Sequence, residues 1–182
     1  MTSRRPLLPE TGVGLSLEDG SGFLLLEDQE EADVHSPAEI VQQLLIDAGI
    51  GTDPDLSPLQ SWPVYSTNEP DLETLDEVIT VTDTAGVDQG RTMVDGEEEI
   101  HYGVQIRVDA RSHENYGWRK TDAIRSYCSQ TVYQAVVVID SIRYLVLNFS
   151  RIGPVIPTGK DVGAVKRSIF TFNPTVVIRR LS

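Results

Sequence analysis

The order of the periodic segments constrains the fold more than any other feature of this sequence. Apolar residues recur at helical spacing in only two segments, whereas several segments are β-branched or alternate between apolar and polar residues. Strands therefore alternate with helices too rarely for a doubly wound parallel sheet. We predict an α+β fold with a single mostly antiparallel or mixed β-sheet, two α-helices packed on one face of that sheet, and long exposed loops.

The first helix has a complete set of N-terminal signals. Ser36 is the predicted N-cap, Pro37 occupies the first helical position, and Glu39 completes a capping box with Ser36. Apolar residues then recur at helical spacing, and Gly49 suits the left-handed conformation that ends many helices. The sequence predicts a helix over residues 37–48.

The second helix is predicted to follow Ser112, which is a candidate N-cap. Four residues of this segment are expected to form its buried face: Trp118, Ile124, Tyr127 and Cys128. Because Cys128 is the only cysteine, an internal disulfide is excluded, and we expect the thiol to behave as a small buried apolar group.

The remaining periodic segments have the composition of β-strands. They are residues 62–66, 77–83, 99–110, 133–139, 142–150 and 168–179. In the segment 99–110, the apolar residues from Val104 to Ala110 are expected to face the core. Gln105, Arg107 and Asp109 alternate with them and are expected to face away.

Turn and loop residues separate these strands. Asp140 and Ser141 have the spacing of a two-residue hairpin turn, and Pro174 is expected to mark a bulge or a sheet edge. Residues 85–98 are predicted to form a long exposed hairpin or loop. Residues 152–166 are rich in glycine and proline and are predicted to form a loop without periodic structure.

The net charge of −13 is unevenly distributed along the chain. Residues 1–35 form an acidic N-terminal extension punctuated by glycine and proline, and residues 36–182 are predicted to be the α+β domain. Within that domain, residues 36–100 carry fifteen acids and one base, whereas residues 101–182 carry five acids and twelve bases. This split favours head-to-tail self-association or stacking on charged partners, unless the two halves interleave in space and the field averages out.

Two short fragments have some features of nucleotide-binding loops. Asp83 to Gly86 has the Asp-Thr-Ala-Gly pattern of the phosphate-sensing loop of small GTPases. The segment from Gly153 to Lys160 departs from a P-loop, because five residues separate its glycines and two prolines remove backbone donors. We therefore predict a non-enzymatic protein with no catalytic, cofactor-binding or metal-binding residues. A small-ligand or nucleotide-binding module is a remote alternative.

The remaining signal is the order and spacing of several strings across residues 36–181. They are Pro37-Ala-Glu-Ile-Val-Gln-Gln-Leu-Leu leading to Gly49, Trp62-Pro-Val-Tyr, Ile79-Thr-Val-Thr-Asp-Thr-Ala-Gly, Tyr102-Gly-Val-Gln-Ile-Arg-Val, Tyr144-Leu-Val-Leu-Asn-Phe-Ser-Arg-Ile-Gly and Lys166-Arg-Ser-Ile-Phe-Thr-Phe-Asn-Pro-Thr. This layout resembles the tail terminator (tail-completion or minor capsid) proteins of long-tailed siphovirus bacteriophages. Residues 1–35 lie outside the family pattern.

The resemblance implies a structural virion protein, assembled in the host cytoplasm and located in the tail at the head–tail junction. Such proteins form a ring, expected here to be a hexamer, that caps the tail tube, ends its polymerisation and joins the tail to the head connector. DNA would pass through the channel without sequence-specific binding, and no membrane association is expected. The alternative is a tail-tube or head-closure protein of similar fold.

The implied partners are further copies of the chain, the tail-tube protein and the head-completion or connector protein. Exposed loops are the candidate contacts, because loops can become ordered on a partner. Six residues in or beside the predicted loops are interface candidates: Arg91, Met93, Arg151, Lys160, Lys166 and Arg167.

Overall fold

A computed structural model describes residues 35–56, 62–67, 75–91, 98–111, 114–160 and 167–181, together with two short strands nearer the N-terminus. The chain divides into two compact units, Met1–Val34 and His35–Ser182. In the first unit, β1 (Leu15–Ser16) pairs antiparallel with β2 (Phe23–Leu24). The elements of the second unit are α1 (Pro37–Asp47), β3 (Val64–Ser66), β4 (Glu77–Arg91), β5 (Glu98–Ala110), α2 (Glu114–Gln130), β6 (Ala135–Ile139), β7 (Ile142–Ser150), β8 (Ile156–Lys160), β9 (Ser168–Phe172) and β10 (Thr175–Leu181).

The start and end of α1 confirm the predicted helix signals. The Ser36 hydroxyl accepts a hydrogen bond from the Glu39 amide at 3.2 Å, and the Glu39 carboxylate accepts one from the Ser36 amide at 2.7 Å. This reciprocal capping box satisfies two amide groups that have no partner within the helix. Gly49, just beyond the helix, has a φ of 67° and so adopts the left-handed conformation predicted for it.

The buried face of α2 is only partly the predicted one. Ile124 and Cys128 are buried, and Tyr127 is half-buried. The prediction for Trp118 is wrong, since 46% of its surface is exposed. Gly117 takes the contact with the sheet instead, and a Cβ atom there would lie 2.9 Å from the Cβ of Ala110. The predicted N-cap, Ser112, lies outside the described residues.

The eight strands of the second unit form one mixed and strongly curled sheet. β3 pairs parallel with β4, and the other pairings between the described strands are antiparallel. The main order is β3-β4-β5-β10-β7-β6, and β9 pairs with β5 and β8 beside this path. The predicted α+β class and mixed sheet are confirmed; the number of strands and the curl were not predicted.

The last predicted strand is two strands, β9 and β10, separated at Asn173 and Pro174. Both run along β5 in one register, with Phe172 opposite Ile106 and Thr175 opposite Gly103. On its other side the chain changes partner, because β9 pairs with β8 and β10 pairs with β7. The sheet therefore divides at Pro174, and we refer to this point as the fork. Proline suits it because it lacks the amide proton that a continuous ladder would use.

The predicted Gly/Pro-rich loop 152–166 contains β8, so its assignment as wholly irregular is wrong. β8 pairs with β9 through a register shift between Pro157 and Gly159, which explains why its sequence lacks strand periodicity. In the segment 85–98, β4 continues to Arg91, which pairs with Glu98 of β5, and residues 92–97 lie outside the described residues.

The turn between β6 and β7 confirms the predicted two-residue hairpin. Ile139 pairs with Ile142, and the two residues between them, Asp140 and Ser141, have φ values of 47° and 68°. Positive φ at both central residues defines the turn type that matches the twist of the flanking strands.

Both helices pack on the same face of the sheet. Gly117 of α2 approaches Phe170, whose strand neighbour Val108 is paired with Ile79 on that face. Gly51, after α1, approaches Ile79 and Val64. The predicted inward residues of β5, from Val104 to Ala110 in steps of two, are all fully buried. The core therefore lies between α1, α2 and this face.

The opposite face is not solvent-exposed throughout. Asp109 was predicted to face away from the core, and its register places it there, but only 1% of its surface is exposed. Val78, which is paired with Asp109 on the same face, is also buried. A second buried layer therefore lies on the side of the sheet away from the helices.

Candidate functional site

Two long hairpins end at opposite ends of β5. At its first residue, Glu98 pairs with Arg91, so the chain connecting β4 and β5 lies at this end. At its last residue, Ala110 pairs with Ser168, and Ser168 also pairs with Lys160. The chain connecting β8 and β9 therefore lies at the other end. With thirteen residues in β5, the two ends are about 40 Å apart, because an antiparallel strand rises about 3.4 Å per residue.

The predicted interface candidates are divided between these ends. Arg91 is the last residue of β4, and Lys160 is the last residue of β8, so the two occupy opposite ends of the sheet. Arg151 is exposed in the connection between β7 and β8 and has a φ of 50°. Met93 and Lys166 lie outside the described residues.

Arg167 differs from the other candidates because it is buried, with 2% of its surface exposed. Its guanidinium donates a hydrogen bond to the main-chain carbonyl of Leu75, which precedes β4. This contact ties the start of β9 to the segment leading into β4. Arg167 therefore contributes to the interior of the subunit, and an exposed contact with a partner does not fit its position.

Sequence reasoning missed β6 as a surface feature. β6 has the sequence Ala-Val-Val-Val-Ile and pairs only with β7 among the described strands. Val136 and Val138 are 46% and 52% exposed, while Val137 between them is fully buried. An apolar run on both faces of a strand normally indicates burial on both faces, so the sequence did carry a signal for a covered surface.

At the start of α2, the exposed side chain of Tyr116 packs against the buried Trp62. The Trp62 ring contacts the Tyr116 ring with centroids 5.4 Å apart, and the Lys120 ammonium lies 5.2 Å from the Trp62 centroid. Lys120 also donates a hydrogen bond to the carbonyl of Ile50. Burial lowers the pKa of Lys120, and the nearby Glu77 carboxylate partly opposes this effect. These contacts fasten α2 to the segment that follows α1.

A cavity of about 240 Å³ lies beside α1. Four of its lining residues are acidic: Glu39, Asp53, Asp55 and Asp140. At its rim, the His35 ring nitrogens lie 3.0 Å from the Tyr144 hydroxyl and 3.3 Å from the Asp140 carboxylate. These contacts fix the start of the second unit to the β6–β7 hairpin.

The two fragments with nucleotide-loop features are parts of strands or adjoin them. Asp83 to Gly86 lies within β4, and the Asp83 carboxylate accepts a hydrogen bond from the Ala38 amide at 2.8 Å. This carboxylate stabilises the positive end of the α1 dipole. The second fragment begins at the exposed connection after β7 and ends with β8.

Cys128 is expected to be chemically inert in the folded protein. Burial raises the pKa of its thiol to about 12, so at pH 8 the reactive thiolate is roughly 10⁻⁴ of the population. We predict negligible reaction with a thiol-specific disulfide reagent at pH 8 and one equivalent of reaction after guanidinium denaturation, measured by absorbance. Fast stoichiometric reaction of the native protein would contradict the buried position.

The described residues contain no helix that is both long and apolar enough to cross a membrane. In the same part of the chain, no three metal-binding side chains converge on one point. No protein-family model matches the chain, and no curated protein matches it either.

Proposed function

We propose that this chain is a structural virion protein that forms a ring at the end of a tail tube, in line with its resemblance to tail terminators. The proposed ring is a hexamer that ends tube polymerisation and joins the tail to the head connector. The observation that carries the proposal is the position of the two hairpin ends on opposite ends of β5. A ring with strands along its axis would present one hairpin to the tube and the other to the connector.

The distribution of charge along the sheet supports the same proposal. Residues 36–100, with fifteen acids and one base, supply β3 and β4 at one side of the sheet. Residues 101–182, with twelve bases and five acids, supply the strands on the other side of β5. Ring closure needs two different surfaces on each subunit, and opposite charge on those surfaces would favour a head-to-tail contact.

The proposal is tested by deleting the protein from a phage that encodes it. We expect filled heads without attached tails and tails of uncontrolled length, because nothing ends the tube or joins it to the head. Electron microscopy of lysates measures both effects, and resupplying the intact chain should restore joined tails of normal length. Joined tails of normal length in the deletion would reject the proposal.

The alternative role, a tail-tube protein of similar fold, predicts different behaviour of the purified chain. A tube protein would form long filaments by itself, whereas a terminator would remain a small particle until it meets the tube. Negative-stain microscopy with and without tube protein distinguishes the two. The separation of the hairpin ends suits stacking in either case, so the two roles are distinguished by polymerisation.

A further inference from the structure

Among the described strands β6 pairs on one side only, and its other edge lacks the features that usually prevent strands from pairing with other chains. Exposed edges are commonly protected by lysine, proline, a bulge or very short length. β6 has five apolar residues, no charge and no register shift against β7. Val136 and Val138 expose about half of their surface beside this edge.

The other edges of the sheet carry such protection. β3 has three residues, and Pro63 immediately before it forms a bridge with Thr52. β8 contains Pro157, which cannot donate a main-chain hydrogen bond, and its pairing with β9 shifts register before Gly159. Among the described strands, β6 is thus the edge best suited to accept another strand.

We propose that β6 pairs antiparallel with β6 of a second copy of this chain, so that the free protein is a twofold dimer with a continuous sheet. A second β6 is a suitable partner because both strands are apolar along their whole length. The outward valines of both copies would form one cluster, and Leu145 on β7, paired with Val136, would flank it. This arrangement would remove apolar surface from water and give hydrogen-bond partners to the main-chain groups along that edge of β6.

Symmetry and charge fix the direction and register of the pair. A twofold axis perpendicular to the sheet requires that outward residues oppose outward residues, and the longest overlap is centred on Val137. Val136 then faces Val138 of the partner subunit, and Ala135 faces Ile139 of the partner subunit. A parallel pair would instead bring the two Asp140 carboxylates together, which like-charge repulsion disfavours.

The dimer is independent of the proposed ring. An isologous contact of this kind closes after two subunits, whereas a ring of six needs a head-to-tail contact. We therefore assign the β6 pair to the free protein before it meets its partners. A failure of the dimer would leave the ring proposal standing, and the deletion experiment does not depend on the dimer.

The first test compares two matched glutamate variants of the full chain by analytical ultracentrifugation. Val136→Glu places a charge in the proposed contact, and Ile156→Glu places one on β8 at a residue that is 48% exposed. We expect wild type and Ile156→Glu to be dimers and Val136→Glu to dimerise at least about tenfold more weakly, a change of about 1.4 kcal/mol. A wild-type monomer at about 100 µM would overturn the proposal, because it would place the dissociation constant above that concentration. A dimer unaffected by Val136→Glu would overturn it as well.

A second test keeps the proposal falsifiable if Val136→Glu fails to fold. Val136→Cys and Val138→Cys are prepared separately and then mixed under mild oxidation. The proposed register puts these two positions opposite each other, so the mixture should form disulfide-linked dimers, while each variant alone should form few. Buried Cys128 does not compete, since burial makes its thiol unreactive. Equal cross-linking in all three samples would reject the register. No cross-linking in the mixture would reject the contact itself.

Discussion

Replacing Asp109 by alanine is expected to lower the free energy of unfolding by about 3 kcal/mol. The Asp109 carboxylate is almost fully buried; one oxygen accepts a hydrogen bond from the Arg107 guanidinium at 3.0 Å, and the other lies 2.9 Å from Arg107 Nε. This close ion pair offsets part of the cost of removing the Asp109 charge from water. Alanine would remove this carboxylate from beside the guanidinium, whose side chain is only 25% exposed, and would leave a cavity in its place. Urea denaturation of the purified variant measures the loss.

A matched control separates this effect from the loss of any surface ion pair. Asp76 pairs with Arg111 at 2.8 Å, but both side chains are at least half exposed. Asp76→Ala should therefore change the free energy of unfolding by less than about 1 kcal/mol. The combined replacement of Arg107 by methionine and Asp109 by leucine should recover most of the loss, because it removes both buried charges. Equal effects of Asp76→Ala and Asp109→Ala would contradict the buried pair.

Asp109 also shows where sequence periodicity stops being informative. Alternation along β5 correctly separates its two faces, since Val104, Ile106 and Val108 are buried toward the helices. Alternation does not tell whether the other face meets water. The neighbouring strand held the missing signal, because consecutive apolar residues at Val78 and Ile79 indicate burial on both faces.

Local features of the fold were predictable, because their causes lie within a few residues. The capping box of α1 needs only Ser36 and Glu39, and the β6–β7 turn needs only Asp140 and Ser141. The pairing of β8 depends on β9, whose residues lie about ten positions away in sequence. Its proline, glycine and register shift conceal the strand pattern, and therefore local reasoning assigned a loop.

The candidate interface residues also divide into those whose exposure follows from local sequence and those whose burial depends on a distant contact. Loop position predicted exposure for Arg151, and it is exposed. The same reasoning failed for Arg167, because its side chain reaches back to Leu75, a contact across more than ninety residues of sequence. The exposed β6 edge was missed because the composition of the segment 133–139 predicts a strand without telling whether that strand ends the sheet. In physical terms, exposure depends on which strand ends a sheet, and that depends on long-range pairing.

Replacing Phe172 by alanine is expected to cost more, about 4 kcal/mol of unfolding free energy. Phe172 is fully buried, pairs with Ile106 and lies two residues before Pro174 at the fork. Its backbone is held by β5 in a register that continues past the fork, so the chain cannot move inward to fill the cavity. When the surrounding chain cannot fill the cavity, the loss of unfolding free energy lies near the upper end of the range for core aromatic residues.

Urea denaturation again provides the measurement, and an exposed apolar residue provides the control. Leu56 is 85% exposed, so Leu56→Ala should change stability by no more than about 0.5 kcal/mol. Phe172→Leu retains most of the side-chain volume and should fall between the two. If Phe172→Ala costs less than about 1 kcal/mol, the packing at the fork must relax freely. The fork would then not be a rigid junction, and the separation of the two hairpin ends would not be fixed by β5.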